Sequence, residues 1–364
     1  MTDLLTSDLL TSDLPTSGSR SCLRGLWLPL VTPFRDGALD EASLRQLVRH
    51  YGALPVDGLL LAATTGEGLT LEPAKTERLV TVVRDEAGSG LPLCLGLSGS
   101  NTNALLRSVA GTAGWPIDFY LISCPYYSRP SQQGLTLHFR ALADRAEHPV
   151  LVYNIPYRTG VNLGNEAMLR LAAHQNIVGL KDCGADRGQS LDLLRRRPQH
   201  FAVLTGEDAH YFDALGDGAD GGILASAHVE TASFAEIRSL LATGRHDAAL
   251  ALWRAVEELT RLLFAEPSPA PIKYWLSRSG LIDSAQVRLP MTEVSEGLAS
   301  RIDREIERRK AASTGAASSA VRRFHADSDT SRSRLSPSRP VGKPALIRIV
   351  ARFEPPGLFM SSVG

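Results

Sequence analysis

One lysine in this chain stands where lysine is out of character. Lys181 nearly closes the run IVGLKD, whose other members, Asp182 apart, are apolar or glycine. A surface lysine makes ion pairs. A lysine withdrawn from water has its pKa lowered, and its neutral amine can attack a carbonyl carbon to form a Schiff base. Three other stretches carry groups that such chemistry needs. VYNIPYRTG puts Tyr153 at the end of an apolar run and Arg158 in the segment that follows. CPYYSRP sets Tyr126 and Tyr127 between two prolines. ATTGEG offers the hydroxyls of Thr64 and Thr65 beside Gly66, which permits a tight turn that exposes backbone N–H groups to an anion. Each stretch also has a plainer reading. The tyrosines either relay protons or pack; Arg158 either grips a carboxylate through its planar fork or is solvated; TTGE is either an anion-binding turn or an ordinary connection.

Metal and disulfide chemistry find little support. Cys22, Cys94, Cys124 and Cys183 lie far apart with no CxxC pair, and no HExxH or clustered His, Asp and Glu set occurs at the ends of the apolar runs. Reduced thiols, no metal and no cofactor are the expectation.

The elements that must position these residues are legible as an alternation. Eight short apolar runs recur: Leu26–Val31, Gly58–Ala62, Leu91–Leu97, Phe119–Ser123, Val150–Asn154, Ile177–Asp182, Ala202–Gly206 and Gly221–Ala225. Segments with helical spacing separate them, with Pro73 at a first helical position and Asn165 and Thr231 as expected caps. Eight strand–helix units over about 220 residues are the count of an α/β protein of the (β/α)8 TIM-barrel type. A doubly wound sheet would place a glycine-rich phosphate loop after its first strand, whereas this one runs into TPF. In a barrel, chemistry sits where strands end, and that is where Lys181, Tyr153 and the threonines fall. Three further helical stretches, Ala248–Phe264, Ala270–Ser279 and Val294–Arg309, are expected to form a C-terminal helical cap.

The domain expectation is therefore a disordered leader over 1–22, a barrel over 23–244, a cap over 245–310 and a low-complexity tail over 311–364. The leader repeats Thr, Ser and Asp at a five-residue near-period and has none of the character of a secretory signal. The chain's 39 basic and 39 acidic residues cancel, but unevenly. The tail holds eight basic against three acidic residues, so the remainder is mildly acidic. Its scattered charges and few aromatics, Phe324 and Phe353 among them, read as a solvated extension rather than a nucleic-acid arm. No run of about 18 apolar residues occurs, so a membrane span is not expected. A cytoplasmic enzyme without nucleic-acid or membrane partners is the reading.

With ATTGE, PYYSRP, YNIPYRTG and GLKD in this order, the chain resembles the dihydrodipicolinate synthase family of pyruvate-dependent class I aldolases, to which N-acetylneuraminate lyase is related. The likeness runs from about Gly25 to Leu298 and includes LTGEDA, GADGGILASAHV, EPSPAPIK and RLPMT. It implies a Schiff base between Lys181 and pyruvate, with Thr64 and Thr65 holding the pyruvate carboxylate. It further implies that Tyr153 is the central acid/base in a proton relay with Thr65 and Tyr127. Tyr127 would reach a neighbouring subunit's site, which implies a homodimer or a dimer-of-dimers tetramer. Arg158 would receive the carboxylate of L-aspartate 4-semialdehyde, and Ile223 would line the pocket. The implied activity is condensation of pyruvate with that aldehyde to 4-hydroxy-tetrahydrodipicolinate, in lysine and diaminopimelate biosynthesis. The alternatives are a pyruvate-dependent aldolase acting on a sugar acid or other 2-oxo acid, and a catalytically silent binding paralogue. Departures from the family pattern are Ala63 before TTGE, Ser128 in PYYSRP, GLSGSN after the third strand, and Ser268 in EPSP. At the family's lysine-feedback site, Pro73 and Leu105 replace a histidine and a glutamate while Tyr126 and Asn101 remain, so weak lysine inhibition is expected.

Overall fold

Strands buried on both faces need apolar side chains in both directions, and eight runs of this chain supply them. In the computed structural model, which describes residues 23–184 and 186–312, they form β1 (Gly25–Pro29), β2 (Gly58–Leu61), β3 (Leu93–Leu97), β4 (Phe119–Ser123), β5 (Val150–Asn154), β6 (Ile177–Asp182), β7 (Ala202–Thr205) and β8 (Gly221–Ile223). All pair in parallel with their sequence neighbours, and β8 closes on β1 to complete a barrel. Some strands end earlier than their apolar runs. Ala62, for example, takes a φ of 51°, which no strand residue can adopt. A two-stranded ribbon, Phe34–Arg35 with Ala38–Leu39, follows β1.

Helices α1 (Glu41–Gly52), α2 (Pro73–Ala87), α3 (Thr102–Gly111), α4 (Gln132–Arg145), α5 (Asn165–Ala172), α6 (Arg187–Arg196), α7 (Tyr211–Gly216) and α8 (Ala227–Ala242) follow the strands one by one. Their apolar faces fit: α1 buries Leu44, Leu47, Val48 and Tyr51, the i, i+3, i+4, i+7 stripe of an amphipathic helix. Pro73 opens α2 as expected. The other two caps differ. Asn165 is the first residue inside α5, where its amide donates to Gln189 O and Asp192 Oδ2, and Gly164 takes the cap position. Thr231 lies within α8 just past a kink at Glu230, and its hydroxyl donates to Ala227 O. Each residue satisfies a backbone or side-chain partner that the final packing offers, which outweighs the intrinsic preference for a cap.

Two apolar layers result. Leu60, Cys94, Leu121, Leu151, Leu204 and Ile223 point into the barrel, while Leu59, Leu61, Leu93, Leu95, Ile122 and Val152 pack outward against the helices. Helices α9 (His246–Leu263) and α10 (Ala270–Arg278) and a helical stretch over 296–308 follow α8. Residues Met1–Arg308 group as one unit, and the second, Arg309–Gly364, is described only over its helical residues 309–312. The expected leader and nearly all of the expected tail lie outside the described residues. No helix among the described residues is long and apolar enough to cross a membrane.

Candidate active site

Strict alternation along β6 would turn Lys181 outward, because Ile177 and Lys181 are an even number of residues apart. The pairing breaks this rule. Val150 on β5 faces Ile177, but the next residue, Leu151, faces Gly179, so β6 carries one extra residue there. Beyond this bulge the phase is reversed: Leu180 packs outward and Lys181 turns into the barrel, opposite Tyr153. Only 5% of Lys181 is exposed, and its Nζ lies 4.5 Å from the centre of the Tyr153 ring. Burial lowers the Lys181 pKa below the ordinary lysine value, against the opposing influence of Cys183, Asp208 and Glu207. Burial also holds the Tyr153 phenol well above its usual range, so it keeps its proton. An amine whose neutral form is favoured by burial and a protonated phenol beside it have the chemistry of a nucleophile and a proton donor.

The space for the lysine depends on a missing side chain. A Cβ on Gly206, just past β7, would lie 2.3 Å from Lys181 Cε and 2.4 Å from Cys183 Sγ. Cys183 is buried, within 4.0 Å of the Tyr153 hydroxyl, and burial raises its own pKa. Cys94, Cys124 and Cys183 are all free and buried, and Cys22 lies outside the described residues. Asp208 is buried with its Oδ1 accepting from Ser226 N and Oγ, both at 2.6 Å, and burial pushes its pKa up to about 6. Thr260 of α9 donates to Ser226 Oγ, tying the helical cap to this edge of the mouth.

The ATTGEG turn after β2 is tightly wound. Ala62 and Glu67 both have positive φ, 51° and 53°, and Glu67 N and Gly68 N donate to Thr64 O and Ala63 O. A Cβ on Gly68 would fall 1.7 Å from Ala62 O, so only glycine closes this turn. Thr64 faces the mouth and Thr65 is buried behind it. A brace from the C-terminal region holds the turn. Lys273 of α10, fully buried, donates to Glu67 Oε1 at 2.6 Å and to Gln286 O at 2.6 Å, and lies over the Phe34 ring. Arg288 N donates to Glu67 Oε2 at 2.7 Å, and its guanidinium bonds Thr70 O and Gly37 O. Sequence reading missed this brace. Glu67 and Lys273 both stand in noted motifs, but nothing local joins residues 206 positions apart.

A cleft of about 790 Å³ opens at Tyr153, lined by Thr64, Ser123, Tyr126, Tyr127, Tyr153 and Arg158 among others. The structure thus brings Thr64, Tyr127, Tyr153 and Arg158 to one cavity, whereas Lys181, Thr65 and Ile223 do not line it. Ile223 packs inside the barrel in the same apolar layer as Tyr153. Tyr127 sits at φ 71° with 94% of its surface exposed, held by Tyr127 N donating to Thr159 O. Among the described residues no hydrogen bond joins Tyr127 or Thr65 to Tyr153. A second cavity of about 760 Å³ has Leu69, Pro73, Leu105 and Trp115 in its wall, and Asn101 caps α3 by accepting from Ala104 N. No group of three or more His, Cys, Asp or Glu among the described residues is placed to hold a metal ion.

Fold and site define a class: a (β/α)8 barrel built around a buried lysine at its C-terminal mouth, the position a Schiff-base enzyme requires. The comparisons narrow it. The family model described as "Dihydrodipicolinate synthetase family" matches residues 22–309, and the chain belongs to this family. It is 39% identical over 282 residues to 4-hydroxy-tetrahydrodipicolinate synthase 2 of Clostridium acetobutylicum, covering 78% of this chain and 99% of that one. It is 37% identical to the 4-hydroxy-tetrahydrodipicolinate synthase of Chlorobium phaeovibrioides, covering 76% and 94%. Among solved structures, the dihydrodipicolinate synthase of Thermotoga maritima superposes with a TM-score of 0.76 at 30% identity, covering 78% of this chain and 98% of that one. That of Aquifex aeolicus gives 0.76 at 27%, covering 79% and 98%.

Proposed function

We propose that this enzyme condenses pyruvate with L-aspartate 4-semialdehyde through a Schiff base on Lys181, giving 4-hydroxy-tetrahydrodipicolinate for lysine and diaminopimelate biosynthesis. The observation that carries this is the buried Lys181 amine stacked on Tyr153, which lines an open cleft. The neutral amine attacks the keto carbon of pyruvate and water leaves, forming an iminium. That iminium draws electrons from the methyl group, which loses a proton and becomes an enamine. The enamine carbon attacks the aldehyde, whose oxygen takes a proton and becomes the 4-hydroxyl. The amino group of the second substrate then displaces Lys181 and closes the ring.

Tyr153 moves the protons, and its raised pKa supports its role as the donor. The Thr64–Thr65 turn holds the pyruvate carboxylate, and Arg158 at the cleft wall takes the carboxylate of the aldehyde. Ile223 supports the pocket from within the barrel. Tyr127, almost fully exposed on a left-handed backbone, completes the relay of a neighbouring copy, so the working form is a homodimer or a tetramer of two such dimers. The setting is the cytoplasm.

Borohydride reduction in the presence of pyruvate tests the first step, with the adduct mapped by mass spectrometry. Consumption of the semialdehyde, coupled to a reductase, tests the second. An adduct at Lys181 with turnover is expected. No adduct there would sink the reading, and an adduct without turnover would point to a different aldehyde.

A further inference from the structure

The inward-facing residues at the level of the nucleophile form a row across three adjacent strands. Ser123 on β4 is opposite Tyr153 on β5, which is opposite Lys181 on β6. Alternation along β4 turns Ser123 inward with Phe119 and Leu121, while Tyr120 and Ile122 pack outward. Ser123 is buried, lines the cleft, and its Oγ has no hydrogen-bond partner among the described residues. Four other buried side-chain atoms among the described residues share that condition. They belong to Trp27 inside the barrel, His138 on α4, Asn165 on α5 and Glu207 beyond β7, and none of the four lines this cleft.

Burying a hydroxyl without a partner is unfavourable, and an apolar side chain in its place would serve the fold better. Such a group in a native structure calls for an explanation, and in the wall of a substrate cleft a partner on the substrate supplies one. The α-carbons of Ser123 and Lys181 are two strand spacings apart, roughly 10 Å, with Tyr153 between them. An adduct on Lys181 is thus attached on one side of Tyr153, and Ser123 stands on the other, in the wall of the cleft.

We propose that Ser123 is a specificity-determining residue whose hydroxyl hydrogen-bonds an oxygen of the aldehyde partner as it meets the enamine. The proposal deepens the function given above and rests on it. Pyruvate trapping at Lys181 and semialdehyde turnover are measured first in the wild-type enzyme, where failure of the reaction itself would be read. Failure of the Ser123 assignment is read only in variants of an active enzyme. Ser123→Ala and Ser123→Val are expected to raise KM for the semialdehyde about tenfold, with kcat falling less than about threefold and pyruvate trapping unchanged. Both are expected to melt no lower than wild type, because they remove an unpartnered buried group. Ser123→Thr, which keeps the hydroxyl, is expected to retain the wild-type KM. A semialdehyde KM within about twofold of wild type in both Ala and Val variants would overturn the assignment. A parallel loss of pyruvate trapping would overturn it equally, by placing the hydroxyl's effect on the first substrate.

Discussion

Replacing Lys273 by methionine removes the one side-chain cation that Glu67 pairs with among the described residues. The two side chains are 0% and 1% exposed, so no water can take the ammonium's place. Glu67 would keep only the Arg288 N–H donor. Leaving one member of a buried pair uncompensated costs about 3–5 kcal/mol. In a domain of this size a kilocalorie lowers the melting temperature by roughly 2 °C, so a drop of about 6–10 °C is expected. The same loss frees a turn in which Ala62 and Glu67 are held at positive φ, a conformation costing on the order of 1–3 kcal/mol per residue. Thr64 and Thr65 lie in that turn, so KM for pyruvate should rise with the loss of stability. Scanning fluorimetry with pyruvate kinetics reads both. The double variant Lys273→Met/Glu67→Gln removes both charges and should recover most of the lost stability, since a neutral replacement of a buried pair is tolerated. A single variant within about 1 kcal/mol of wild type, or a double variant no better than the single one, would show that the pair does not brace the turn.

Gly206→Ala should lower the rate of pyruvate trapping at Lys181 about 100-fold, since its Cβ would displace the lysine by an ångström or more; trapping at the wild-type rate refutes this. His228 accepts from Val31 N, and burial pushes its pKa down to about 4 from 6.5. Because its folded pKa is depressed, the stability it contributes is present above pH 6.5 and is lost as pH falls toward 4, amounting to about 3 kcal/mol. Asp208, raised to about 6, acts in the opposite sense over much of this window, so the wild-type profile alone is not diagnostic. Urea melts of His228→Gln and wild type should instead diverge by about 3 kcal/mol in favour of the variant between pH 7 and pH 4; a constant difference would count against the buried neutral imidazole. Millimolar L-lysine should leave the condensation rate within about twofold, because Pro73 and Leu105 present neither imidazole nor carboxylate to the second cavity and Asn101 is used as a helix cap. Strong inhibition would show that other groups recognise lysine.

Much of this was legible in local pattern. Apolar runs at regular intervals gave the eight strands, since a strand buried on both faces must be apolar throughout, and Lys181 stood out against that background. The strand-end position of Tyr153 and the positions of Thr64, Tyr127 and Arg158 beyond strand ends followed from the barrel count, although Arg158 falls in a helical turn, Pro156–Thr159, rather than a loop; these four share the cleft with Tyr126. The helix caps at Asn165 and Thr231 did not follow, because neighbouring groups offered both side chains other partners.

What the sequence by itself determined is which residues lie in strands and which strand ends carry reactive groups, because both depend on short stretches of chain. Which way those groups face was decided only in the tertiary structure. Alternation read along IVGLKD turns Lys181 away from the barrel, and the bulge against β5 turns it in. Glu67 finds Lys273, and Gly206 leaves room for the lysine, through contacts between distant segments. A side chain's direction is fixed by pairing with the next strand, and that pairing is a property of the closed barrel as a whole.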